Sequence, residues 1–426
     1  MTNGIYVIRC ILYFTFSWNS CGFLSRTFTI FYLLLAEIPL VVIPQKMYAG
    51  IDAFTLLCIP GFVLAGNLMN GGGITERIIK CCNAFVGHIR GGLGLANIGS
   101  SMVFAGISGT ALADTASIGG IMIPAMIEEG YEPDYSAAVT ASSSTIGPII
   151  PPSLPMIIVG TLTGISVSKM FLAGLVPGIL LGLGLMAISY RISIKHNHPK
   201  GEKVNLKGKI LAFKEAFWAI MLTVLILFGI LGGVFTPTEA SIAAVLYAVL
   251  VGKFIYKQLK ISDLPKILLD SMVGTAAIMM LVGFANVFAW ILTSQQIPQM
   301  VAEAVLNFSQ NKYIVLLLIN ILLLFVGTFM ETIAALVILF PVLLEIVIPL
   351  GINPIHFGVM VVLNLMIGLT TPPVGVCLFV ASSIAKISMV QAVKAILPFL
   401  IVSLIVLGIV TYVPAVSLLL PSLILG

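Results

Sequence analysis

The stretch Ser142-Ser143-Ser144-Thr145-Ile146-Gly147-Pro148-Ile149-Ile150-Pro151-Pro152 cannot run as a continuous helix. Its three prolines within five residues each lack an N–H and obstruct the carbonyl one turn back. The pattern occurs twice: Ile146-Gly147 followed by Pro151-Pro152 returns in the second half of the chain as Ile367-Gly368 followed by Pro372-Pro373. At the same offset Gly106, Gly130, Pro133 and Pro177 return as Gly327, Gly351, Pro354 and Pro398. Chance overlap of the two windows would give roughly one such coincidence, so the chain carries an internal repeat. In a membrane chain, interruptions paired between two halves point to the binding site of a secondary transporter.

Composition places the repeat in a membrane. Hydrophobic residues make up 59% of the 426 and charged residues only 9%, against about 25% charged in soluble domains. Windows of about 20 apolar residues, enough to cross a hydrocarbon layer of roughly 30 Å, lie near 5–21, 27–43, 52–70, 169–190, 215–234, 238–256, 270–292 and 391–412. Two windows, 91–127 and 313–347, are too long for one crossing and are interrupted at Gly106 to Gly109 and at Gly327, which predicts re-entrant hairpins. The expected fold is an all-α integral membrane protein with two hairpins and two broken helices. Its predicted segments are first scaffold helices over 1–90, a first hairpin and broken helix over 91–168, scaffold helices with a basic loop over 169–292, a second hairpin and broken helix over 313–388, and a C-terminal helix over 389–426.

The net charge of +5 does not form a nucleic-acid-binding surface. Arg191, Lys195, Lys200, Lys203, Lys207, Lys209 and Lys214 crowd one connection, Lys253, Lys257, Lys260 and Lys266 another, and Arg77, Lys80 and Arg90 a third. The positive-inside rule makes all three cytoplasmic. Counting crossings from them puts the mouth of the first hairpin on the cytoplasmic side, that of the second on the opposite side, and the N-terminus outside the cytoplasm; the halves are then inverted copies. The six cysteines, Cys10, Cys21, Cys58, Cys81, Cys82 and Cys377, lack metal-type spacing and read as small core residues. His196 and His198 share the basic loop while His88 and His356 stand alone, and no catalytic spacing predicts an enzyme. Residues 5–21 read as a weak first span rather than a signal peptide, since Arg9 interrupts the apolar core and no small-residue cleavage site follows.

Chemistry is expected where polar atoms occur at membrane depth. In Gly106-Ile107-Ser108-Gly109-Thr110-Ala111-Leu112-Ala113-Asp114, small residues and hydroxyls adjoin an acid. Such a tip offers oxygens to a hard cation such as sodium, with unwound backbone adding carbonyls. Alternatively, Ser108 and Thr110 bond locally to the backbone and the glycines only permit close packing. Asp114 favours the first reading, because a carboxylate in a membrane segment is costly. The two breaks, with Ser143, Ser144, Thr145, Gly147 and Pro148 in one and Gly368, Thr370, Thr371 and Pro372 in the other, set freed carbonyls against a half-helix N-terminus. Gly327-Thr328-Phe329-Met330-Glu331-Thr332 is the second tip, in which Glu331 occupies the place that Thr110 has in the first. Thr236-Pro237-Thr238-Glu239 reads as a helix start: a cap, a proline at the first position and a capping-box acid.

These residues carry a resemblance. The run from Gly106 to Pro124, Ser143 through Ser153, Phe235-Thr236-Pro237-Thr238-Glu239-Ala240, Leu363-Asn364-Leu365-Met366-Ile367-Gly368 through Pro373, and Phe62 through Asn70 with Gly73-Ile74-Thr75 look like the large membrane subunit of tripartite ATP-independent periplasmic (TRAP) transporters. The resemblance spans Ile30 to about Pro414. It implies an elevator-type, sodium-driven importer of organic acids such as sialic acid or C4-dicarboxylates in the bacterial inner membrane, lodged in the lipid bilayer. It also implies two partners, a small four-helix membrane subunit and a periplasmic substrate-binding protein. By position it implies one sodium site at Ser108, Thr110, Asp114 and Gly147 and a second at Gly327, Glu331, Thr332, Gly368, Thr371 and Pro372. Ser143, Ser144, Thr145, Pro148 and Thr370 are implied substrate-cleft residues, and no cofactor beyond sodium is expected. The chain departs from the family where it carries Glu331 in place of the usual Asp, a methylene that shifts an oxygen by about 1 Å in a preorganised site. The alternative reading is a stand-alone ion-coupled anion carrier that needs no binding protein. A channel is disfavoured, since no ring of like charges recurs.

Overall fold

The computed structural model describes residues 39–108 and 110–425. The predicted span at 5–21, most of that at 27–43, Cys10, Cys21 and Gly109 lie outside them. The described residues form helices α1 (Val42–Ile51), α2 (Cys58–Gly71), α3 (Ile74–Val86), α4 (Gly92–Ser108), α5 (Ala111–Glu128) and α6 (Pro133–Ser144). There follow α7 (Leu154–Thr163), α8 (Val167–Lys195), α9 (Leu206–Leu231), α10 (Pro237–Leu250), α11 (Leu264–Ser294) and α12 (Ile297–Phe308). The last six are α13 (Lys312–Gly327), α14 (Thr332–Val347), α15 (Pro354–Gly368), α16 (Val376–Ala385), α17 (Met389–Tyr412) and α18 (Ala415–Ile424). Among the described residues the one extended pairing is an isolated bridge between Arg90 and Lys200.

Both long apolar windows are interrupted where the glycines stand. The first becomes α4, ending at Ser108, and α5, starting at Ala111; the second becomes α13 and α14 with a turn at 328–331. The proline-rich stretches end α6 at Ser144 and α15 at Gly368, and both Pro151-Pro152 and Pro372-Pro373 are cis. The elements keep the sequence offset: α5 starts at Ala111 and α14 at Thr332, α6 at Pro133 and α15 at Pro354. Helices α7 and α16 have 10 residues each, about 15 Å at 1.5 Å per residue and half the thickness of a hydrocarbon layer.

Seven helical stretches among the described residues are long and apolar enough to cross a membrane: Phe54–Gly71, Ala111–Glu128, Val167–Lys195, Leu206–Leu231, Pro237–Ile255, Ile261–Ser294 and Met389–Tyr412. Six match predicted spans; the seventh is α5, an arm of the first expected hairpin. Phe228, Leu246, Ile321 and Ile405 are exposed on the outer surface, an arrangement suited to hydrocarbon and unfavourable in water.

Packing divides the helices into two groups. Helices α4 to α8 and α13 to α18 pack on one another, with reciprocal exchange: α5 lies against α16, and α14 against α7. Helix α10 packs on α2, α9 on α3, and α11 on α1 and α2. The groups meet where α2, α3 and α9 touch α4, where α3 touches α5 and where α11 touches α14, and α12 packs chiefly on α14. The start of α10 is the capping box expected: Thr236 Oγ1 accepts from the Glu239 N–H at 3.3 Å, and Glu239 Oε2 accepts from the Thr236 N–H at 2.8 Å. Cys58, Cys81 and Cys377 are buried and Cys82 half-buried.

The base of the first hairpin meets the basic loop. Tyr131 Oη donates to the Pro199 carbonyl at 3.4 Å, the Gly91 N–H to that same carbonyl at 3.1 Å, and the Gly201 N–H to the Gly87 carbonyl at 3.1 Å. The mouth of that hairpin and the lysine-rich connection therefore share one side of the protein.

Candidate site between the hairpin tips and helix breaks

Each tip is built around the start of a helix, where four N–H groups lack intrahelical partners. Thr110 caps α5, its Oγ1 accepting from the Ala113 N–H at 3.3 Å. Glu331 caps α14, its Oε2 accepting from the Ile333 N–H at 2.8 Å and the Ala334 N–H at 3.1 Å. Repeat-related positions thus do the same local work with different chemistry: a neutral hydroxyl in one half, a carboxylate in the other. Ser108 ends α4, and its side chain lies outside the described residues.

Asp114, in the first turn of α5, is fully buried. It packs on the first break: a Cβ placed on Gly147 would lie 2.2 Å from Asp114 Oδ2. In the second half the equivalent contact is backbone on backbone, and a Cβ on Gly368 would lie 2.6 Å from Gly327 Cα. The glycines of both breaks therefore let the chain of one element approach the tip of another, as bulkier residues would not. Beside Gly327 and Gly368, a cavity of about 250 Å³ includes Thr328, Thr371 and Pro372 in its lining.

The hydroxyls of the breaks are mostly committed to carbonyls. Ser144 Oγ donates to the Thr140 carbonyl at 2.8 Å, Thr145 Oγ1 to Ser142 at 2.7 Å, and Thr370 Oγ1 and Thr371 Oγ1 both to Ile367 at 2.8 Å. Ser153 caps α7 and also donates to the Pro148 carbonyl. Ser143 faces α4: its Oγ donates to Asn97 Oδ1 at 3.1 Å and accepts from Ser101 at 3.0 Å. Its repeat mate Asn364 likewise faces α13, donating to Asn320 Oδ1 at 2.7 Å. Sequence reasoning had not singled out Asn97 or Asn320. Their signal was present, as an amide in each of two apolar helices.

A second cavity, of about 30 Å³, lies between the two halves. Thr110, Ala111 and Leu112 line it from one tip, Glu331, Thr332 and Ile333 from the other, with Pro148 and Leu369 from the breaks and Pro155 and Met366 from their flanking helices. Two helix N-termini, those of α5 and α14, border this space, and α7 adds Pro155 of its first turn. Each N-terminus carries roughly half a positive charge. Thr332 Oγ1 is buried there without a hydrogen-bond partner. Of the sequence-expected residues, the cavity brings together Thr110, Pro148, Glu331 and Thr332. Asp114 and Gly147 form a separate contact behind the first tip, and Ser143 turns toward α4.

Comparison with known proteins places this arrangement. The chain is 44% identical over 382 residues to the sialic acid TRAP transporter large permease SiaM of Vibrio cholerae, covering 90% of each protein. It is 42% identical over 377 residues to the C4-dicarboxylate TRAP transporter large permease DctM of Pseudomonas aeruginosa, covering 88% of each. The fold resembles that of the YdaH transporter of Alcanivorax borkumensis, with a TM-score of 0.63 at 13% identity over 91% of this chain and 90% of that one. The family model for the DctM component of tripartite ATP-independent periplasmic transporters matches residues 8–416. The protein is thus a TRAP-transporter large permease and belongs to the DctM family.

Proposed function

We propose that this permease imports an organic acid, of the sialic acid or C4-dicarboxylate class, in symport with sodium, through an elevator movement. The observation that carries the reading is the convergence of two helix N-termini, one from each half, and the unpartnered Thr332 hydroxyl on one cavity between the tips. Such termini favour a carboxylate. Glu331 in the wall and Asp114 behind the first tip oppose it, so a further anion enters at low cost only once cations offset those charges. Sodium ions at the Asp114–Gly147 contact and around Glu331, Gly327, Gly368 and Thr371 would supply that charge, which is a physical reason for coupling. A cavity of about 30 Å³ accommodates water but not a molecule needing the 300 Å³ or so of a typical ligand site. Substrate entry therefore requires the tips to part.

In this reading α4 to α8 and α13 to α18 move together, as inverted copies, against a frame of α1 to α3 and α9 to α12. Helix α8, which packs on α4 and α17, travels with the moving body in this reading. A separate small membrane subunit would extend the frame, and a periplasmic binding protein would deliver the acid. The test is uptake in proteoliposomes containing this chain and its small partner, with candidate binding proteins outside and sodium imposed or withheld. Accumulation that needs both is the expected result. Uptake that ignores sodium, or proceeds without any binding protein, would overturn the corresponding part of the proposal.

A further inference from the structure

Away from the cavity, the structure brings together three side chains that the transport cycle does not use. Glu132, His196 and His198 place their donor atoms within 4.8 Å of one another. His196 Nδ1 lies 2.9 Å from Glu132 Oε1, and His198 Nε2 lies 3.2 Å from Glu132 Oε2. We propose that this cluster is a binding site for a borderline divalent transition metal, of the zinc, cobalt or nickel kind, on the face of the protein that carries the basic loop. The proposal stands apart from the sodium-symport reading.

The ligand chemistry fits. Two imidazoles and a carboxylate suit such ions, which bind nitrogen and oxygen at about 2.0–2.2 Å and leave a fourth position for water. Bonds of that length set neighbouring tetrahedral donors about 3.4 Å apart; the two histidine nitrogens lie 2.9 and 3.2 Å from different oxygens of Glu132, so a turn of the carboxylate and a shift of the exposed His196 ring would close the set around one ion. His198 is held for the task. It is buried, sits between Tyr131 and Tyr135 with ring centroids at 4.9 and 4.4 Å, and has its other nitrogen, Nδ1, 3.1 Å from Ser193 Oγ. An outer partner that fixes the ring in this way is the usual companion of a metal-bound histidine.

The repeat supplies an independent argument. Glu132 precedes α6 as Asn353 precedes α15, at the offset that relates the two halves. Asn353 caps its helix, Oδ1 accepting from the Ile355 N–H at 2.9 Å. Glu132 occupies the same N-cap position and makes no side-chain cap. Its carboxylate turns away to the two histidines. The position that serves the helix in one half serves the cluster in the other. Lys195 and Lys200 border the histidines in sequence, while Glu128, Glu129 and Asp134 border Glu132, so the surroundings are of mixed sign and do not exclude a cation.

A bound ion would tie the start of α6 to the loop that joins α8 to α9, and that loop already bonds Gly87 and Gly91 between α3 and α4. Two of the three connections between the helix groups, α3 to α4 and α8 to α9, would be fastened at one point. The test uses the full chain in detergent or nanodiscs, stripped with a chelator and titrated with Co²⁺ alone, read by its visible absorption, and with Zn²⁺ alone, read by calorimetry. The expected result is one ion per chain with four-coordinate cobalt bands and a metal-dependent rise in melting temperature. Affinity should fall by at least about 10-fold in Glu132→Gln and in His196→Ala, and by about 10-fold in Ser193→Ala, which removes only the outer partner. His196 is exposed, so that variant leaves the core intact. No binding at micromolar metal, or binding equal to that of the unaltered chain in His196→Ala and Glu132→Gln, would overturn the proposal. Neither result bears on sodium-driven uptake.

Discussion

Gly147 faces Asp114 Oδ2 at a distance that leaves no room for a methyl group, 2.2 Å from where a Cβ would stand. Gly147→Ala must therefore displace the Asp114 carboxylate or the break, an overpacking that costs about 1–3 kcal/mol. Sodium-dependent uptake is expected to be lost. Gly120→Ala is the control: its Cβ would meet nothing within 4 Å, and uptake should be unchanged. If both variants transport alike, the contact has no role in the cycle. Asp114→Ala is expected to abolish sodium-dependent uptake while the protein still folds and inserts; uptake that keeps its sodium dependence in this variant would remove Asp114 from the ion site. At this scale the sequence singled out Asp114, Gly147, Glu331 and Thr332, and the structure sets Asp114 on Gly147 and lines one cavity with Glu331 and Thr332. The sequence did not indicate that Ser143 faces Asn97, because the side on which a helical hydroxyl emerges matters only once a neighbouring helix is placed.

At the scale of elements, the breaks at Gly147 and Gly368, the interruptions of the two long apolar windows and the start of α10 were legible, since prolines, glycines and capping residues act on the backbone locally. Thr236 tests one of them in isolation. Thr236→Ala removes the Oγ1 that accepts from the Glu239 N–H while keeping the backbone N–H that Glu239 Oε2 accepts from, and should destabilise the protein by about 1 kcal/mol, with Thr236→Ser restoring most of the loss in a thermal melt. Transport should persist in both. Uptake abolished in Thr236→Ala at full stability would mean that the motif serves the chemistry after all. The half-length helices α7 and α16 were harder to foresee. Their apolar residues run on into the breaks, so composition marks the stretch but not its end.

The whole molecule is a multi-pass protein of the bacterial inner membrane, and its expected inverted arrangement makes a prediction of sidedness. Glu129, at the base of the first hairpin, and Gln310, just before the second, are exposed or nearly so. In a background without the native cysteines, Glu129→Cys should react with an impermeant maleimide from the cytoplasmic side and Gln310→Cys from the periplasmic side. Labelling of both from one side would exclude an inverted pair. Pro199 and Gly201 of the basic loop bond the residues at the base of α4 and α5, so the loop and that base should label from the same side.

By itself the sequence determined that the chain spans a membrane, that its second half repeats the glycines and prolines of the first, where its helices break, and which family it resembles. All of these follow from composition and from backbone chemistry acting within a few residues. Only the tertiary structure decided which polar groups meet. It set Thr110 against Glu331 across a cavity, placed Asp114 on Gly147, and joined Glu132 to the distant His196. Such contacts depend on how helices cross. The crossing is set by the summed packing of many apolar side chains that no short motif encodes.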